Sequence, residues 1–137
     1  MIGILIVAHG TLGESLVHCA SHVMGSRPPQ LMQLGVGMHD DPAQMYPAVL
    51  KLVRQLDDGS GVLILTDVYG ATPSNIAGRA LIPGRVEGIA GVSLPMLVRA
   101  LTYRNEPLRT VVAKAMSGGV EGVFKMPPAI ENAATGS

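Results

Sequence analysis

The sequence predicts an α/β protein: an open, doubly wound sheet with parallel central strands in the order 2-1-3-4 and helices on both faces. Three observations predict it. Two uninterrupted apolar runs, Ile2–Ala8 and Val62–Thr66, are bounded by turn residues and suit strands buried on both faces of a parallel sheet. Apolar residues at helical spacing follow each strand, so strands and helices alternate, and crossovers of this length are right-handed. At 137 residues the chain is one domain, since two would each be marginally small.

The elements follow in order. After the first strand, Thr11 and Glu14 have the spacing of a capping box, so a helix should begin at Thr11, with Leu16, Cys19, Ala20 and Val23 as its apolar face and Gly25 as its end. Leu31–Val36 is the second strand. Asp41-Pro42 is a cap with proline at the first helical position, opening a helix to about Leu56. Asp57 to Gly61 is a loop by composition, and Val62–Thr66 is the third strand. Thr72-Pro73 should cap a short helix to about Leu81, and Val86–Val92 makes a fourth strand. Ser93 opens another helix to about Tyr103, and Pro107–Met116 is the last. Ser117-Gly118-Gly119 is a break, after which Val120–Met126 alternates like an edge strand. Residues 1–126 thus form the domain, and 127–137 a polar tail expected to be disordered.

Composition excludes several classes. Ten Lys and Arg balance ten Asp and Glu, and aromatics are 3%, which argues against a nucleic-acid binder. Hydrophobic residues at 47% exclude a disordered chain. Charged residues are only 15%, against a usual ~25%, as expected of a surface partly buried in a homo-oligomer. Cys19 has no partner for a disulfide. The first apolar run is too short for a bilayer and lacks a signal peptide's basic lead-in, so a soluble, cytoplasmic protein is expected.

In such a sheet, chemistry gathers beyond the C-terminal strand ends, where strand order reverses. His9-Gly10-Thr11 follows the first strand and Asp67 to Asn75 the third, so the two loops should face each other. A carboxylate beside an imidazole fixes one ring nitrogen as donor and leaves the other as nucleophile or acceptor. Asp67 is the orienter available to His9. A phosphoryl group on His9 would lie at the start of the helix opening at Thr11, where free N–H groups and the helix dipole favour an anion. Gly10 allows close backbone approach, the Gly70-Ala71 turn lies opposite, and Thr72 can supply a hydroxyl. Nearby lysines and metal motifs are lacking, so the site suits handing on a bound phosphoryl group better than hydrolysing a nucleotide. No cofactor is implied. His18 and His22, four apart, lack a third metal ligand and read as a solvated or interface pair. His39 reads as a loop residue, Cys19 as core, and Arg79, Arg85, Arg99, Arg104 and Arg109 as solvated.

Three blocks carry a resemblance: Ile4 to Gly10, Leu65 to Asn75 and Ile89 to Leu97. In this order and at these spacings the chain resembles, from Met1 to about Met126, the enzyme IIA component of the mannose/fructose family of the bacterial phosphoenolpyruvate-dependent sugar phosphotransferase system. The resemblance implies a phosphocarrier. The histidine matching His9 accepts phosphate from HPr, on Nε2, and gives it to a IIB protein; the aspartate matching Asp67 orients it, and the hydroxyl matching Thr72 shares the pocket. It also implies a homodimer that exchanges its last strand, here Val120–Met126. The family often has an aromatic residue, two glycines and Ser-Pro-Phe-Asn after the aspartate, where this chain has Tyr69, Gly70, Ala71, Thr72, Pro73, Ser74 and Asn75. Ala71 and Ser74 depart from that pattern in ways that could alter the partner surface. No IIB domain follows, so transport would need a separate IIB protein. A regulatory use of phosphorylated His9 is equally compatible with the sequence.

Three other readings compete. The phosphotransferase subunit that feeds dihydroxyacetone kinase shares the fold and histidine but normally continues into further domains. Small tetrapyrrole chelatases also place His-Gly after a first strand, with the histidine on metal, yet they leave Asp67 to Asn75 unexplained. A noncatalytic module of the same fold would not need His9 and Asp67 together.

Overall fold

The computed structural model describes residues 1–130. Four strands, β1 (Gly3–His9), β2 (Leu31–Val36), β3 (Val62–Thr66) and β4 (Val86–Ala90), form one sheet in the order β2-β1-β3-β4, every pair parallel. The helices are α1 (Leu12–Met24), α2 (Pro42–Leu56), α3 (Thr72–Gly78), α4 (Leu94–Tyr103) and α5 (Leu108–Glu121). The predicted fold class and strand order are the observed ones.

The pleat explains the two cores. On β1, Ile4, Ile6 and Ala8 face α1, α4 and α5, and Leu5 and Val7 face α2 and α3. β3 divides in the same way, Leu63 and Leu65 to one side and Val62 and Ile64 to the other. Both central strands are buried throughout except at His9, so the first exposed side chain of β1 is the one at its C-terminal end.

Several local expectations are corrected. Thr11 occupies the N-cap of α1, but its side chain makes no cap bond, so the capping box does not form. The buried face of α1 is Gly13, Leu16, Val17 and Ala20, which leaves Cys19 and Val23 exposed rather than in the core. Thr72 is the first residue of α3, not its cap; Ala71 holds that position, and the helix ends at Gly78. β4 stops at Ala90, because Gly91 turns at a left-handed φ of 89°.

The largest correction is at the C-terminal end. Ser117-Gly118-Gly119 does not break α5, which runs on to Glu121. A Cβ on Gly118 would lie 2.9 Å from the Arg99 Cβ, and one on Gly122 would lie 2.7 Å from the Pro95 Cβ. The glycines therefore let α5 lie close against α4, and that packing overrides their poor helix propensity, about 1 kcal/mol per glycine. The expected edge strand Val120–Met126 is absent: its first residues are helical, and from Val123 to Ile130 the chain has no regular structure. Of the expected disordered tail, residues 131–137 lie outside the described residues.

Arg104 is also corrected, being 5% exposed rather than solvated. Its guanidinium donates to the carbonyls of Ile2, Pro29 and Gln30 at the N-terminal edge of the sheet.

Candidate functional site

The register of the sheet places the two loops. Val7 pairs with Thr66, so β1 outruns β3, and His9 and Asp67 stand just past the last ladder rung. The next N–H of β1 that would seek a β3 carbonyl is that of His9, and the Asp67 carboxylate takes it instead, His9 N donating to Oδ2 at 3.0 Å. The same Oδ2 lies 2.7 Å from His9 Nδ1. One oxygen therefore holds both the backbone and the ring of His9. The other, Oδ1, accepts from Val68 N at 3.0 Å, and the Asp67 carbonyl accepts from Gly91 N at 3.1 Å.

These bonds decide the protonation pattern. Burial alone pushes the Asp67 carboxyl up, but the hydrogen bonds from His9 and Val68 outweigh it and hold the carboxyl below its ordinary value. An ionised carboxylate only accepts, so the proton of neutral His9 is on Nδ1 and the lone pair on Nε2. The His9 side chain is 53% exposed and that of Asp67 only 10%. The ring of His9 is thus half open to solvent while the carboxylate bonded to it is enclosed.

The remaining predicted residues are placed less directly. Gly10 (φ 54°) makes the turn from β1, and its amide already donates to the Val36 carbonyl at 3.0 Å, so its part is the turn itself. At the start of α1, Ser15 is the first amide bonded back, to the Thr11 carbonyl, so the amides just ahead of it have no helical acceptor and no side-chain cap. Gly70 (φ 89°) and Ala71 lie in the facing loop. Thr72 makes no side-chain hydrogen bond among the described residues and lines a cleft with Pro42, Asn75, Ile76 and Arg79. The structure brings His9 and Asp67 together; among the described residues it gives no hydrogen bond between the Thr72 side chain and either of them.

Sequence reasoning missed the residue that holds the Asp67 loop in shape. The Ser74 hydroxyl accepts from Gly70 N at 2.8 Å and donates to the Ala71 carbonyl at 3.0 Å, while the Asn75 amide reaches the Gly70 carbonyl at 3.4 Å. The signal was the serine three residues after Ala71, since such hydroxyls bond locally to backbone. At the same end of the sheet Leu12, the first residue of α1, and Met38, Val68 and Tyr69, in the loops after β2 and β3, expose apolar side chains to solvent. No group of three or more His, Cys, Asp or Glu that could hold a metal ion occurs among the described residues, and no helix among them is long and apolar enough to cross a membrane.

Comparison with known proteins identifies the family and the fold. The family model described as PTS system fructose IIA component matches residues 3–116. The mannose-specific EIIAB component of the Escherichia coli phosphotransferase system is 34% identical over 130 residues, covering 89% of this chain. The chain spans 38% of that relative's length. Among solved structures, EIIA from Streptococcus agalactiae superposes with a TM-score of 0.81 at 24% identity, covering 91% of this chain and 97% of that one. The mannose/sorbose-specific IIA subunit from Enterococcus faecalis gives 0.82 at 18% identity, covering 94% and 97%. At these identities the two structures speak for the fold. None of the matches supports the chelatase alternative.

Proposed function

This chain belongs to the PTS fructose IIA component family, and from that premise we propose that it is a histidine phosphocarrier, taking a phosphoryl group from HPr on His9 and passing it to a IIB protein. The observation that carries the reading is the contact of 2.7 Å between His9 Nδ1 and Asp67 Oδ2 on a ring whose other edge faces solvent. The Nε2 lone pair attacks phosphorus on the donor's phosphohistidine. The N–P bond to the donor breaks as the new one forms, and the departing electron pair stays on the donor's imidazole. Positive charge develops on the His9 ring during this step, and Asp67, bonded to the Nδ1 proton, stabilises it. Return transfer to IIB runs the same steps backwards.

The surroundings support a protein donor and acceptor. Leu12, Met38, Val68 and Tyr69 expose apolar surface at the end of the sheet that carries His9, as a docking face for macromolecules requires. Phosphorylation adds about −1.5 to −2 charges to that face, so the same histidine can also signal its state to other proteins. Thr72, together with free amides at the start of α1, is proposed to meet the phosphoryl oxygens.

The C-terminal segment supports a homodimer. Val123, Phe124, Met126 and Ile130 are all exposed in a segment without regular structure, and among the described residues no strand pairs with the outer edge of β4, which carries only the bridge between Ile82 and Val86. Exchange of this segment between two copies would cover both. Phe124→Asp is expected to shift the protein to a monomer in sedimentation velocity; an unchanged dimer would remove Phe124 from the interface.

The deciding experiment incubates the protein with phosphoenolpyruvate, enzyme I and HPr and measures intact mass under alkaline conditions that preserve phosphohistidine. One added phosphate is expected on the wild type and none on His9→Ala. Equal labelling of that variant sinks the assignment of His9.

A further inference from the structure

Opposite the Asp67 loop, the turn after His9 rests on β2. The Gly10 amide donates to the Val36 carbonyl at 3.0 Å, and the Gly10 carbonyl lies directly over the Cα of Gly35. A Cβ on Gly35 would lie 2.2 Å from the Gly10 oxygen and 3.3 Å from its carbonyl carbon. The obstructing atoms are backbone, so no flexible side chain can swing aside. Leu31 on the same strand packs into the core beneath α1, and by the period of two Gly35 points to that face, under the passage from β1 to α1.

His9 is therefore held from both neighbouring strands. From the β3 side, Asp67 Oδ2 holds its N–H and its ring; from the β2 side, the Gly10 peptide lies on a strand with no side chain at that point. We propose that Gly35 is a positioning residue for phosphoryl transfer: its bare Cα lets the Gly10 peptide lie on β2, and this sets the angle at which the His9 ring meets Asp67. The functional meaning rests on the phosphocarrier reading of His9; the geometric claim does not. An alanine at position 35 forces the Gly10 peptide off β2 by about 1 Å, and a misplacement of that size at a reacting group costs about 10²-fold in rate.

A second crowded glycine supplies the control. Gly3, at the far end of β1, would place a Cβ 2.6 Å from the Leu56 carbonyl oxygen, so alanine there is also obstructed by backbone, but away from His9. The test compares Gly35→Ala and Gly3→Ala by three measurements: transfer from phosphorylated HPr at varied donor concentration, thermal unfolding, and the ¹⁵N and ¹H signals of the His9 ring. Gly35→Ala should lower kcat about 10²-fold with KM changed only a few-fold, and should shift or lose the Nδ1–H signal. Gly3→Ala should lower Tm and leave both the rate of the folded protein and the ring signals as in the wild type.

Wild-type kcat and ring signals in Gly35→Ala would overturn the proposal. If Gly35→Ala unfolds in buffer, the measurements are repeated with trimethylamine N-oxide, which favours the compact state. Failure to fold even there, while Gly3→Ala folds, would make Gly35 a stability residue and overturn the proposal too. If the wild type takes no phosphate, the carrier reading falls, and the ring signals still decide the position of His9.

Discussion

The two ends of the sheet solve one problem with opposite results. At each, a charged side chain bonds backbone groups at the ends of strands. At the N-terminal end, Arg104 is buried and points its guanidinium at the carbonyls of Ile2, Pro29 and Gln30, two of its bonds measuring 2.9 Å to Ile2 and 2.6 Å to Gln30. At the C-terminal end, Asp67 also takes backbone N–H groups, from His9 and Val68, but one of its oxygens additionally holds a ring that is half in solvent. A buried charge whose partners are all backbone carbonyls ties chain segments together. A charge that shares an oxygen between backbone and a half-exposed imidazole orients a ring that solvent can reach. Burial of the charged residue alone does not distinguish them; the kind of partner, backbone carbonyl or half-exposed ring, does.

The sharpest way to break this comparison is to remove each charge and ask what fails. Asp67→Ala should slow phosphoryl transfer by about 10²–10⁴, measured by rapid quench from phosphorylated HPr. A variant that transfers at the wild-type rate would refute the orienting role. Arg104→Met keeps the apolar stem and removes the guanidinium donors from the carbonyls of Ile2, Pro29 and Gln30, of which Gln30 keeps the Ile4 amide. It should cost about 2–5 kcal/mol in urea unfolding while the folded protein transfers normally. A normal stability, or a lost transfer rate in folded protein, would erase the contrast between the two ends.

The smallest effect is in pH. Because the Asp67 carboxyl is held below the ordinary 3.8, the native form binds that proton less tightly than the unfolded chain. Its contribution to stability is full above pH 3.8 and is lost as the pH falls below that value through the lowered native one. Asp67→Asn, which cannot titrate, should therefore show a shallower loss of stability on acidification below about pH 4. Parallel acid profiles for the wild type and the variant would contradict the ionised carboxylate at the site.

Much of the site was legible in the sequence because its two main residues stand at the ends of the two most strongly apolar strands. A buried strand announces itself by continuous Val, Ile and Leu, and the first polar residue beyond it must stand at the edge of the sheet. That logic places His9 after Ala8 and Asp67 after Thr66, and neighbouring strands then bring them together. The caps at Asp41 and Ser93 were readable for a similar reason, since a side-chain oxygen bonding an amide two or three residues on is local chemistry. Thr11 and Thr72 fit the same pattern on paper, yet neither side chain caps its helix. A cap motif states what a hydroxyl is able to do, and the path by which the chain enters the helix decides whether it does.

By itself, then, the sequence determined the alternation of strands and helices, the burial of β1 and β3 on both faces, and the residues that end those strands. Each follows from side-chain chemistry repeated over a few neighbouring positions. Tertiary structure alone decided that Ser117-Gly118-Gly119 continues a helix, that Arg104 is enclosed, and that the Gly10 carbonyl lies on Gly35. These outcomes depend on distances between segments tens of residues apart. Whether a glycine breaks a helix or admits a neighbour, and whether an arginine meets water or three carbonyls, is set by what the fold brings beside it.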